Sequence, residues 1–249
     1  MRSILYHASL WTAGLLLVSC KTQLHPTVNK EQFYSIDSTI VADSGIVAYY
    51  GPYKAKLDAE MNRVIGVSDQ YLTHSRAQES LMGDFFTDAL LWKAQQIDPE
   101  VQVSFATKGG IRAELKQGNI TVGDVFQVMP FENALSILTL SGKDMLRLAD
   151  YMAKTGGQPA AGIKLVAKDG QVVEFLVQGK TVDPAASYKL ATYDYLANGG
   201  DYITFFDQLL ARKDYPQRIR ETLMEYIAEQ TKQGKHIQAQ IDGRVQISK

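Results

Sequence analysis

The sequence has few of the residues from which catalytic centres are usually assembled. Its one cysteine, Cys20, has no partner for an internal disulfide, and beyond it the histidines are only His25, His74 and His236. No Asp-x-His, Asn-His-Glu or His-x-His spacing occurs, so the usual ligand set of a two-metal phosphoesterase is missing. Also absent are the Gly-x-Ser-x-Gly elbow, the Gly-x-x-x-x-Gly-Lys-Ser/Thr phosphate loop and the Gly-x-Gly-x-x-Gly dinucleotide pattern. Neither charge sign is in excess: 26 Lys and Arg face 27 Asp and Glu, a formal net charge of -1. Such a chain has no basic surplus with which to hold a nucleic acid by its phosphates.

What is present begins with a leader. Residues 1–19 combine Arg2 with the apolar run LWTAGLLLVS, the pattern of a secretory signal, and the run is short for a bilayer span. Its end, Leu17-Val18-Ser19-Cys20, resembles the bacterial lipobox, in which the cysteine is acylated and becomes the first mature residue. An uncleaved anchor and a plain secreted protein with an incidental cysteine are the alternatives. The lipoprotein reading predicts a protein of the bacterial cell envelope that meets the membrane through its lipid alone. Residues 20–35 are polar and read as a tether, in which Pro26 disfavours helix, and residues 36–249 read as one folded domain. That length suffices to bury a real core.

Along the domain the periodicities mix without repeats. A helix is expected from near Tyr53, interrupted before that by Gly51-Pro52, and then a strand at VIGVS. Residues 79–97 have a helical stripe of Leu81, Phe85, Ala89, Trp92 and Ile97, and residues 101–106 alternate as a strand running into the loop TKGGIR. A short helix capped by Thr121, a strand at ALSILTLSG and a helix over 143–154 follow. Asp169-Gly170 suits a type I′ hairpin turn between two strands. A strand over 187–195, an amphipathic helix over 216–233 and a last strand at DGRVQIS complete the pattern, which predicts an α+β fold with a mixed sheet flanked by helices.

The remaining chemistry is of a binding type. Arg112 directly follows a Gly-Gly bend, and its planar fork suits a phosphate or ribose oxygen. Arg76 precedes Glu79 and a helix start, where backbone amides favour an anion. Phe131 and Tyr195 offer flat faces for a ring, and Asp201, after Gly199-Gly200, suits a pair of hydroxyls. Taken singly, each has a plainer explanation: a surface ion-pair partner for Arg112, a core position for Phe131, an ordinary strand residue for Tyr195. His74 and His236 read as surface or satisfied histidines.

Four spaced blocks carry a family resemblance: Arg76-x-x-Glu79-Ser80-x-x-Gly83-Asp84, Lys108-Gly109-Gly110-Ile111-Arg112, the segment from Gly118 to Pro130-Phe131, and Tyr195-Leu196-Ala197-Asn198-Gly199-Gly200-Asp201. In this order they resemble the C-terminal, substrate-binding domain of the 5′-nucleotidases, over nearly all of residues 40–247. The resemblance implies that Phe131 and Tyr195 stack on a nucleobase, that Asp201 holds the ribose, and that Arg76 and Arg112 face sugar and phosphate. Where the family usually carries Asn-Gly-Gly-Gly-Ile-Arg, this loop reads Thr107-Lys108-Gly109-Gly110-Ile111-Arg112, losing an amide and gaining a cation near the phosphate. The family's metallophosphatase domain has no counterpart here. The expectation is therefore the nucleotide- or nucleoside-binding half of a phosphohydrolase, binding no cofactor itself and inactive alone. A separate metallophosphoesterase chain would supply the divalent metals. The alternative is a surface lipoprotein that captures nucleosides or nucleotides without catalysis.

Overall fold

A computed structural model describes residues 30–248, so the expected signal, Cys20 and most of the tether lie outside the described residues. The chain divides between Tyr49 and Tyr50 into two compact units. Across that division runs helix α1 (Ser44–Met61), which starts well before Tyr53. Asp43 is the local signal for the earlier start. Its carboxylate accepts from the Ile46 N–H at 2.9 Å, and its carbonyl accepts from the Val47 N–H at 3.0 Å. Pro52 sits inside the helix and removes one donor. No residue of α1 is buried, so water is available to the carbonyl left without that donor. Among the described residues no helix is long and apolar enough to cross a membrane.

The second unit is the α+β fold that the mixed periodicities predict. Strands β1 (Val64–Ser68) and β3 (Gly118–Thr121) form an antiparallel pair. Between them lie helix α2 (Leu81–Ile97) and strand β2 (Val101–Phe105). After β3 come helix α3 (Val122–Val128), strand β4 (Ala134–Ser141) and helix α4 (Gly142–Lys154). Thr121 caps α3 as its sequence predicts, in a reciprocal box with Asp124. Strands β5 (Ala160–Ala161), β6 (Ile163–Lys168), β7 (Gln171–Val177), β8 (Lys180–Thr181) and β9 (Ser187–Tyr193) follow. The β6–β7 hairpin turns on Asp169 (φ 49) and Gly170 (φ 74), both left-handed as a type I′ turn requires. Then come the one-turn helix α5 (Asp194–Ala197), strand β10 (Ala211–Arg218), helix α6 (Ile219–Lys232) and strand β11 (Val245–Ser248).

A five-stranded sheet in the order β10-β4-β9-β2-β5 forms the centre, and a four-stranded sheet β11-β6-β7-β8 lies separately, with α4 packed against strands of both. The long helix α2 buries Met82, Phe85, Phe86, Ala89, Leu90 and Ala94 against β2 and α6. Trp92 and Ile97 are only partly buried, so the buried face is rotated from the expected stripe. Strand β10 was not expected. It pairs with β4 at the edge of the sheet and holds residues 211–218, so α6 begins at Ile219 instead of 216. Pro216 is tolerated there because the strand is outermost and its register breaks between Asp214 and Arg218.

The sheet also brings three distant segments together. β2 and β9 run parallel, pairing Val103 with Leu190 and Ser104 with Ala191. Residues 106–112 and 194–201 therefore leave the sheet at the same end. β4 is antiparallel to β9 and pairs Leu135 with Tyr193, so the residues leading into β4, 129–133, arrive there too.

The C-terminal strand is fixed to α2 by charge and hydrogen bonds. The Glu79 carboxylate accepts from the backbone N–H groups of Asp242 at 2.8 Å and Gly243 at 3.1 Å. Arg244 donates to Asp88 at 2.6 Å and to Asp242 at 2.7 Å, leaving buried Asp84 3.7 Å from its guanidinium. Burial pushes the Asp84 carboxyl up to about 8, against the pull of Arg244. The unfolded carboxyl titrates near roughly 4, so between these values the folded state retains a proton that the unfolded state releases. Stability from this group is complete below that lower value and falls as pH rises through the higher one. Urea unfolding should accordingly give an unfolding free energy that declines from pH 5 to 8, by an amount on the order of a few kcal/mol. Asp84→Asn should flatten that decline; an equally steep profile in the variant would show that another group causes it.

Candidate ligand-binding site

At the end of the sheet where the three segments meet is a cavity of about 380 Å³. Gly109, Gly110 and Arg112 come from the first segment, Phe131 and Asn133 from the second, and Tyr193, Tyr195 and Asp201 from the third. Its size falls in the range of small-molecule pockets.

The two glycines at 199 and 200 have different tasks. Gly199 adopts φ 87, which turns the chain sharply after α5. Gly200 lies under the Tyr195 ring, and a Cβ there would stand 2.4 Å from Tyr195 Cε1. With the ring lying on bare backbone, Tyr195 OH donates to Asp201 Oδ1 at 3.1 Å and accepts from the Asp201 N–H at 3.3 Å. Asp201 and Tyr202 are themselves left-handed (φ 52 and 61), each at a cost on the order of 1 kcal/mol. Tyr195 lies on α5, not on the strand expected to continue to residue 195, because β9 ends at Tyr193.

The opposite wall is set by Arg220, only 7% exposed at the start of α6. Its Nη1 donates to the carbonyls of Met129 at 3.3 Å and Phe131 at 3.2 Å, Nη2 pairs with Glu132 at 2.5 Å, and the guanidinium lies 4.0 Å from the Phe126 ring centroid. The loop is thus held by its backbone, which frees the Phe131 side chain. Phe131 is 40% exposed and Tyr195 48%. Neither ring stacks on another among the described residues, and both line the cavity. Phe131 is not the core residue that its neighbouring proline suggests.

A second, larger hollow of about 720 Å³ adjoins the first and shares Gly109 and Arg112 with it. His74, Ser75, Arg76, Lys108, Ile111 and Thr155 complete its lining. Arg112 donates to the Gly109 carbonyl at 3.2 Å, and neither Arg76 nor Arg112 forms an ion pair among the described residues. Burial lowers the pKa of both His74 and Lys108. Arg76 and Arg112 bring two forked sets of N–H donors to this hollow, suited to an anion.

Two expectations are revised. The Lys108 ammonium is a brace: it donates to the carbonyls of Arg76 at 3.2 Å and Gly156 at 3.0 Å, tying three loops together. The first turn of α2 does not line the hollow that holds Arg76, since its cap Ser80 accepts from the Gly83 N–H at 3.1 Å. Glu79, Ser80, Gly83 and Asp84 build the clamp on the C-terminal strand and the helix cap instead. Of the sequence-predicted residues, Arg112, Phe131, Tyr195 and Asp201 share one cavity, Arg76 lines the adjoining hollow, and Cys20 lies outside the described residues. Asn133, Tyr193 and Thr107 were missed. Asn133 had a signal, an amide two residues from Phe131, and so did Thr107, which stands where the family's loop usually begins with Asn. A cleft of about 510 Å³ beside Arg244 is also larger, but Asp88 and Asp242 already occupy that arginine.

Comparison with known proteins bears on the same segments. The family described as 5′-nucleotidase, C-terminal domain, matches residues 60–208, a narrower span than 40–247. Trifunctional nucleotide phosphoesterase protein YfkN of Bacillus subtilis (strain 168) is 28% identical over 213 residues, covering 78% of this chain and 14% of that protein. Protein UshA of Escherichia coli (strain K12) is 28% identical over 171 residues, covering 65% of this chain and 30% of its own. Among solved structures, a 5′-nucleotidase precursor from Thermus thermophilus aligns with a TM-score of 0.70 at 28% identity, over 82% of this chain and 42% of that one. The chain spans less than half the length of each.

The contact between Gly200 and the Tyr195 ring makes a direct test. Gly200→Ala should displace the ring and cost about 1–3 kcal/mol of stability. The displacement is read from the Tyr195 ring resonances by NMR, and unchanged resonances would contradict the packing described.

Proposed function

This chain belongs to the 5′-nucleotidase C-terminal domain family, and from that premise we propose that it is the nucleotide- or nucleoside-binding part of a 5′-nucleotidase-type phosphohydrolase, anchored through Cys20 in a bacterial cell envelope. The observation that carries this reading is the pairing of two half-exposed rings and a carboxylate in one cavity with two guanidiniums, unpaired among the described residues, in the hollow beside it. In the proposed complex the base stacks between Phe131 and Tyr195, and the ribose hydroxyls donate to Asp201. The phosphate lies toward Arg112 and Arg76. The relatives' names, a nucleotide phosphoesterase and a 5′-nucleotidase precursor, support the same substrate class.

Among the described residues, no group of three or more His, Cys, Asp or Glu side chains is placed to hold a metal ion. The proposal assigns hydrolysis to a separate metallophosphoesterase chain whose divalent metals activate water. The chain's own contribution is positional: binding the base and ribose fixes the phosphate relative to that centre.

Calorimetry with adenosine and AMP should detect binding by the full chain, and Phe131→Ala or Tyr195→Ala should weaken it about tenfold or more, because a stacked base contributes about 1–3 kcal/mol. Phosphate release should require addition of the metallophosphoesterase. Binding without any restored turnover would favour the capture lipoprotein, and unaltered affinity in both variants would refute the ring clamp.

A further inference from the structure

Asp201 lines the cavity wall with no ion-pair partner among the described residues. Hydroxyl groups orient it instead. Tyr195 OH donates to Oδ1 at 3.1 Å, and the buried Thr107 hydroxyl donates to Oδ2. Thr107 is 2% exposed and Tyr193 only 1%. The Tyr193 hydroxyl lies 3.3 Å from Thr107 Oγ1. Because the single proton of Thr107 is engaged by Asp201, the tyrosine must be the donor in that contact. Burial pushes Tyr193 up to about 12, which keeps it protonated for that role. The ring is locked as well: a Cβ on Gly110 would fall 2.2 Å from Tyr193 OH, so only glycine at 110 admits the hydroxyl.

A carboxylate has about four acceptor positions. Thr107 and Tyr195 take one on each oxygen, which leaves one on each for two further donors. We propose that Thr107, steadied by Tyr193, is the positioning residue that turns the Asp201 carboxylate into a two-point acceptor for a vicinal diol, selecting ribonucleosides over their 2′-deoxy counterparts. This rests on the nucleoside-binding reading above and names the residue that would set its sugar specificity.

The test compares adenosine, 2′-deoxyadenosine and adenine by calorimetry on the full chain, with Thr107→Val, Thr107→Ser and Tyr193→Phe. Wild type should prefer adenosine over 2′-deoxyadenosine about tenfold, the value of one well-made hydrogen bond to a charged group. Thr107→Val should reduce that ratio to about twofold or less while adenine affinity stays unchanged, a pattern that general loosening of the fold would not give. Thr107→Ser restores the donor and should restore the ratio, and Tyr193→Phe should lower it in part. A ratio retained in Thr107→Val, or lost equally in Thr107→Ser, overturns the assignment of Thr107 and leaves nucleoside binding standing. Failure of wild type to bind any of the three overturns both.

Discussion

The parallel pairing of β2 with β9 is the constraint on which the rest of the molecule depends. Parallel neighbours discharge their following loops at the same edge, and the cavity lies where the loops after β2 and β9 emerge. Here one loop supplies Gly109, Gly110 and Arg112 and the other Tyr195 and Asp201. The antiparallel strand β4 completes the arrangement, because its first residues start where β9 ends. No short-range preference could bring these segments together. Their meeting point is a property of strand order, and the side chains then specialise it.

The specialisation is largely a matter of where bulk is withheld. Gly110 leaves room for the Tyr193 hydroxyl, and Gly200 leaves room for the Tyr195 ring. In both cases an aromatic comes flush against main chain, so its orientation is fixed by packing. Arg220 acts on the main chain instead, gripping the backbone carbonyls of Met129 and Phe131 and so fixing the loop that carries the Phe131 ring. Flat surfaces held this way lose little freedom on meeting a ligand.

How much of this was legible depended on the range of the interactions involved. The Thr121 cap and the Asp169-Gly170 turn are settled within four residues, and both were readable. Arg112, Phe131, Tyr195 and Asp201, which the structure brings to one cavity, were grouped beforehand only through their order in the family blocks. The start of α1 was obscured because Gly51-Pro52 is a strong local breaker, while the Asp43 cap that outweighs it lies upstream. Strand β10 was hidden because ARKDYPQR is polar and contains proline, and only its place at the sheet edge makes it a strand. Thr107 and Tyr193 lie 86 positions apart, so their contact appears only once β2 and β9 are side by side. The block from Arg76 to Asp84 misled in another way, since most of its polar residues serve architecture, tying α2 to the last strand.

That tie has a temporal side. Glu79, Asp84 and Asp88 emerge from the ribosome long before Arg244 and the backbone amides of Asp242 and Gly243 that satisfy them. Until those residues are synthesised, the helix that organises the core carries a cluster of uncompensated acids on one flank. The guanidinium that reaches Asp84, Asp88 and Asp242 together thus comes from the far end of the domain, more than 150 positions beyond the helix it secures.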